Sequence, residues 1–172
     1  LCEIIREDRI TDFISYIKEC ELSLSETIIH SIFETNSFLL KKIPSLIEYS
    51  AFFGSINIFQ YWINNEAKIT PRIWNYAIHG GNLKIIEIIE EKHINPINNS
   101  FVEVLIESIK CYNYCITEFI LEKYFLKTQT EQFIEVFNKH CLKFFNFRII
   151  IQNSQNSLNL INYINTKYLD HE

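Results

Sequence analysis

The chain has 172 residues, 48 % of them hydrophobic, and its 16 basic and 21 acidic residues leave a formal charge of −5. That length and apolar content bury the core of one domain and exclude disorder as the main state. The acidic balance offers no basic field to a phosphate backbone, which argues against nucleic acid as a partner, and three Gly with three Pro are too few for a turn-rich β-sandwich or barrel.

In chain order, Leu1-Cys2-Glu3-Ile4-Ile5-Arg6-Glu7-Asp8 lacks the basic and apolar regions of a secretory signal. The absence of Met is read as the mark of a piece of a longer protein. Ile10, Phe13, Tyr16 and Ile17 predict a helix, and a second is expected from Ser25 to about Phe33, capped by Ser23 or Ser25. From residue 44 a repeat sets in. Pro44 to Phe59 superposes without gaps on Pro71 to Ile86, an offset of 27 residues. Ser108 to Tyr114 aligns with Ala77 to Leu83, and Cys141 to Phe147 aligns with both, so that a small residue, a turn Asn and a following apolar position recur.

Each unit predicts two short antiparallel helices. In the copy that begins at Thr70, Thr70 is expected to N-cap a helix with Pro71 in its first turn, Gly80-Gly81 to stop it, and Asn82 to cap the next. In that next helix Leu83, Ile85, Ile86, Ile88 and Ile89 make an apolar face, opposite Lys84, Glu87 and Glu91. Ile56, Ile58, Phe59, Tyr61 and Trp62 repeat the pattern, as do Tyr114, Ile116, Phe119 and Ile120. A closing helix is expected from Ser157 to about Tyr168. Phe59, Trp62, Trp74, Phe119 and Phe147 are expected mostly between helices. The longest aliphatic run, Ile149-Ile150-Ile151, falls far short of the roughly 20 residues that span a bilayer, so no membrane segment is expected.

The run Ala77 to Ile89, with Gly81-Asn82-Leu83-Lys84-Ile85-Ile86 at its centre, resembles the ankyrin repeat, and Ser50 to Trp62 is a second good copy. The Ile- and Asn-rich composition is similar to the divergent ankyrin families expanded in unicellular eukaryotes. The resemblance covers residues 44 to about 122 well and the flanks weakly. It implies an all-α architecture of stacked antiparallel helix pairs in a short solenoid, and a surface that binds other proteins. Thr70-Pro71-Arg72-Ile73 stands where ankyrin has Thr-Pro-Leu-His, and Glu66-Ala67-Lys68 and Ile94-Asn95-Pro96 lack the Gly-Ala-Asp of its β-hairpin. Plain loops are therefore expected in place of the hairpins. The whole chain, 1–172, is read as one domain with approximate units 1–43, 44–69, 70–100, 101–128 and 129–172.

Signs of catalysis are sparse. Gly54 stands alone and Gly80-Gly81 sit at a helix–helix turn, so there is no phosphate-binding loop. Cys111, Cys115, His140 and Cys141 have a weak zinc-like spacing, and cysteines at small packing positions are more commonly buried apolar residues. The five cysteines, at 2, 20, 111, 115 and 141, are read as reduced thiols in a cytoplasmic chain. No cofactor, metal, catalytic residue or small-molecule substrate is expected.

The expected activity is binding of another protein, with a structural cap or spacer for a longer downstream ankyrin array as the alternative. First helices line the concave side in ankyrin-type stacks. Superposing them aligns Phe52, His79, Lys110 and Lys143 at one position and Tyr49, Tyr76, Glu107 and His140 at another. These eight residues are the candidates for partner contact, with His79 and Lys110 the more exposed and Tyr49 and Tyr76 packed with their hydroxyls at the edge.

Overall fold

Among the described residues, a residue with positive φ follows most helices, and that local event sets the architecture. In a computed structural model that describes residues 1–23, 25–29, 34–125 and 131–152, without the side chains of 131, 132, 134 and 152, the described residues form helices and no β-strand. The helices pair as α1 (Cys2–Arg6) with α2 (Ile10–Cys20), α4 (Leu46–Phe52) with α5 (Ile56–Asn64), and α6 (Ile73–Gly80) with α7 (Leu83–Glu91). Further pairs are α8 (Phe101–Lys110) with α9 (Tyr114–Ile120), which runs into a π-helical turn at Leu121–Phe125, and α10 (Glu131–Lys143) with α11 (Phe147–Gln152). A short helix, α3 (Ser37–Leu40), lies between the first two hairpins in sequence.

Between the two helices of each hairpin one residue is left-handed: Asp8, Gly54, Gly81, Tyr112 and Phe145, at φ between 52 and 70°. The next amide reaches back over the turn, from Arg9 to the Ile4 carbonyl, Ser55 to Ser50, Asn113 to Ser108 and Asn146 to Cys141, which satisfies carbonyls that a helix end would otherwise orphan. Second helices stop in the same way at Glu21, Glu66 and His93. Non-glycine residues thus fill most of these left-handed positions, which reconciles so many helix ends with so few glycines.

Two compact units result, Leu1–Ser100 and Phe101–Glu172. In the first, α1 packs on α4 and α4 on α6, while α2 packs on α5 and α5 on α7. The three hairpins therefore stack in register, first helices in one layer and second helices in the other. Helix α4 lies in the middle of its layer, and all its residues are buried. In the second unit α8 pairs with α9, α10 with α11, and α8 packs on α10. Ser50, Ala77, Ser108 and Cys141, four residues before the turns at Gly54, Gly81, Tyr112 and Phe145, are fully buried; a small side chain there lets the two layers approach closely.

The polar residue after the turn joins successive hairpins. The Ser55 hydroxyl donates to the Ile5 carbonyl, Asn82 Nδ2 to the Gly54 carbonyl at 2.9 Å, and Asn146 Nδ2 to the Ile109 carbonyl at 2.8 Å. Asp8 adds a further link, its carboxylate accepting from the Asn57 and Ile58 amides at 3.0 Å in the first turn of α5. The N-cap role expected of Asn82 is present, its side chain accepting from Lys84 N at 3.1 Å. Ile85, Ile86 and Ile89 are buried, whereas Lys84, Glu87 and Glu91 are exposed.

Several expectations are corrected. Ser25–Ile29 is not helical: Ser25 lies in a turn, Thr27 bridges Ser45, and Ile28 N donates to the Pro44 carbonyl while Leu46 N donates to the Glu26 carbonyl. The β-branched run Thr27-Ile28-Ile29 loses rotamer freedom in a helix and suits this pairing. His30–Phe33 and the closing helix expected from Ser157 lie outside the described residues. Thr70 does not cap α6: its hydroxyl donates to Glu48 at 3.2 Å, its carbonyl closes a tight turn onto Ile73 N, and the helix begins at Ile73. Of the aromatics assigned to the core, Phe59, Trp62 and Trp74 are buried and Phe119 is half-buried, but Phe147 is exposed. The segments 65–72 and 92–100 are turns and loops, with one 3-10 turn at Ile97–Asn99.

Candidate functional site

Helices α4 and α6 each bring a tyrosine and a second ring to the first-helix layer of unit Leu1–Ser100. Tyr49 and Tyr76, five residues before their turns, are buried, and each hydroxyl accepts from an arginine: Arg6 Nε at 2.8 Å for Tyr49 and Arg72 Nη2 at 2.8 Å for Tyr76. Burial pushes the Tyr49 phenol up to about 12, against the lowering effect of the Arg6 hydrogen bond. Burial raises Tyr76 as well, and the nearby Glu48 adds to it. Both rings are buried, and each hydroxyl is held by an arginine.

Phe52 and His79, two residues before their turns, lie side by side with ring centroids 5.4 Å apart, nearly parallel. A third ring covers them. Phe38, from α3, lies 4.1 Å from His79, 5.7 Å from Phe52 in a stacked arrangement, and 5.2 Å from Tyr76 edge to face. The Lys42 ammonium sits 4.3 Å from the Phe38 centroid. Phe52 is buried and His79 half-buried. Four residues before Phe38, Glu34 pairs with Arg6 at 3.0 Å, and the Arg6 guanidinium also lies 4.9 Å from the Phe53 ring.

In unit Phe101–Glu172 the matching positions are polar, with Lys110 and Lys143 exposed and Glu107 and His140 half-buried. Lys110 is exposed and bonds Glu107 at 3.0 Å. Lys143 is exposed with its ammonium 5.5 Å from the Phe144 ring. The half-buried His140 ring has Nδ1 2.7 Å from the Val136 carbonyl. Of the cysteines weighed for zinc, Cys115 is exposed, Cys111 half-buried and Cys141 buried. Burial pushes the Cys111 and Cys141 thiols up to about 12, so neither is an activated nucleophile near neutral pH.

Sequence comparison of the repeats missed Arg6, which occupies in α1 the position of Phe52 in α4 and of His79 in α6. Each stands two residues before a left-handed turn residue. Aligning Asp8-Arg9 with Gly54-Ser55 finds it, but Asp in place of Gly hides the turn. Phe38 and Glu34 lie outside the repeat and carry no sequence signal of their own. No helix among the described residues is long and apolar enough to cross a membrane. No family model, curated protein or solved structure matches the chain.

Proposed function

We propose that this chain is a cytoplasmic, non-catalytic protein-interaction module built from degenerate ankyrin-type helical hairpins, needing no cofactor. The observation that carries the reading is the face made by Arg6, Phe52, Tyr76 and His79. It holds a charged and an aromatic side chain, Glu34 and Phe38, from a segment outside the hairpins. Aromatic and arginine side chains of this kind are the ordinary anchors of protein–protein contacts. In the second unit the equivalent positions carry Lys110 and Lys143, which favours a partner with acidic groups opposite them.

The test is affinity purification of the intact protein with identification of what copurifies, compared with Lys110→Glu/Lys143→Glu. Both lysines are exposed, and the loss of the surface pair of Lys110 with Glu107 costs about 0.2–0.5 kcal/mol, so the melting temperature falls little, and the reading expects the variant to lose the copurifying protein. Undiminished copurification would move the site elsewhere. The alternative, a cap for a longer downstream array, is favoured by Phe145 and Ile151, which are 74 % and 70 % exposed on the last described hairpin. A rise in melting temperature when downstream sequence is included would support it.

A further inference from the structure

The connection between the first two hairpins is longer than the others. Residues 21–45 join α2 to α4, whereas 65–72 join α5 to α6 and 92–100 join α7 to α8. Part of the excess is laid over the first-helix layer. Glu34 contacts Arg6 of α1, and Phe38 contacts Phe52 of α4 and His79 of α6. These three contacts fall on the same position in three successive hairpins, two residues before the turn. The segment orders itself locally. Glu34 Oε1 accepts from Asn36 N at 2.9 Å, and Asn36 Oδ1 accepts from Phe38 N at 2.9 Å and from Leu39 N at 3.3 Å. Leu39 is buried and pins the segment, while Thr35, Asn36, Ser37, Leu40 and Lys41 are exposed.

We propose that residues 34–42 are a tethered internal ligand of this face, and that the partner taken there presents a carboxylate and, four residues further on, an aromatic ring. This rests on the protein-interaction reading and names the chemistry of the partner. Arg6 reads the carboxylate through a charge-assisted bond. Phe52, Tyr76 and His79 form a slot for one ring, with both stacked and edge-on neighbours. A tethered occupant acts at an effective concentration on the order of mM, so the free partner competes with Glu34 and Phe38 and binds only to the extent that they leave. Leu39 keeps the segment attached while its two neighbouring contacts exchange.

The test uses the full chain and a fluorescein-labelled peptide with the sequence of residues 34–43 as probe. The variant Glu34→Ala/Phe38→Ala vacates both subsites and retains Leu39. The peptide should bind it on the order of tenfold or more tightly than it binds the unaltered chain, because the competent fraction rises, and adding Phe52→Ala should abolish the gain. Equal binding to variant and unaltered chain, or binding to neither, overturns the proposal. The interaction reading is tested separately, by the Lys110→Glu/Lys143→Glu copurification. Should the double variant lose its helical circular dichroism, 4-fluorophenylalanine at position 38 of the otherwise unaltered chain reads the same exchange. Peptide at several times the tethered concentration should move the fluorine resonance toward that of free amino acid, and an unmoved resonance overturns the proposal.

Discussion

The side-chain amide of Asn146 donates to the backbone carbonyl of Ile109 at 2.8 Å, both groups being buried, and so ties the turn after α10 to the end of α8. Asn82 does the same in the first unit, onto Gly54. Asn146→Ala removes one of two donors to the Ile109 carbonyl, which keeps the Tyr112 amide at 3.2 Å, and the expected cost is about 0.5–1.5 kcal/mol. Asn82→Ala is expected to cost more, because it removes both the bond to the Gly54 carbonyl and the N-cap of α7. Chemical denaturation of both variants checks the order, and a larger loss for Asn146→Ala would show that the α7 cap contributes little.

Left-handed helix ends give an opposite pair of outcomes. Glu66 and His93 are exposed at φ 56 and 55°, where a side chain costs about 1 kcal/mol or more relative to Gly. Glu66→Gly and His93→Gly should therefore each raise the melting temperature by about 2–4 °C, and His93→Val should lower it.

Gly80 obeys a different constraint. It lies inside α6, and a Cβ there would stand 2.0 Å from the Ala51 carbonyl oxygen of α4. Backbone cannot yield at that contact, so Gly80→Ala should cost on the order of 3 kcal/mol or more by forcing α6 off α4. A near-neutral Gly80→Ala in a thermal melt would mean that the two helices are not in such close contact.

On α7, adjacent residues should behave oppositely. Ile86 is buried and Glu87 exposed. Ile86→Asp places an unpaired charge among Ile85 and Ile89 and should cost several kcal/mol, roughly 3–5. Glu87→Lys should stay within about 0.5 kcal/mol. Similar losses for the two would refute the face assignment.

High pH should weaken the fold through Tyr49, Cys111 and Cys141, all raised to about 12 mainly by burial. Below pH 9 these groups hold their protons whether the chain is folded or not, and contribute no slope. Above pH 9 for the thiols and pH 10 for Tyr49, the unfolded chain gives up protons that the folded chain keeps. Stability then falls as pH rises toward 12. Denaturant midpoints between pH 8 and 11 measure this. In the same range Cys20 and Cys115, which are exposed, should alkylate at least about tenfold faster than Cys111 and Cys141.

The helical architecture and the second-helix faces were legible because their signals are periodic: Ile85, Ile86 and Ile89 fall on one face whatever the tertiary context. The Ser50, Ala77, Ser108 and Cys141 series was legible because packing between layers demands small residues at a fixed distance from the turn. Three things were not. The first hairpin was concealed by Asp8, whose carboxylate caps α5 while its backbone takes the conformation Gly54 takes elsewhere. The extended pairing of Thr27 with Ser45 depends on a segment distant in sequence. The cover over Phe52 and His79 comes from Phe38, a lone ring in a non-repeating connection, and no local rule places such a ring.

Within each unit the links made by Ser55, Asn82 and Asn146 all run one way, from the side chain after a turn to the backbone of the hairpin before it. Every such joint is a plug and a socket on different hairpins, so the stack has a polarity that mirror-symmetric packing of apolar faces alone would not impose. Turning one hairpin over within the stack would set plug against plug. Excising residues 55–81, one full repeat, would instead bring Asn82 directly after Gly54, with its amide poised to take over the Ile5 carbonyl that Ser55 had served.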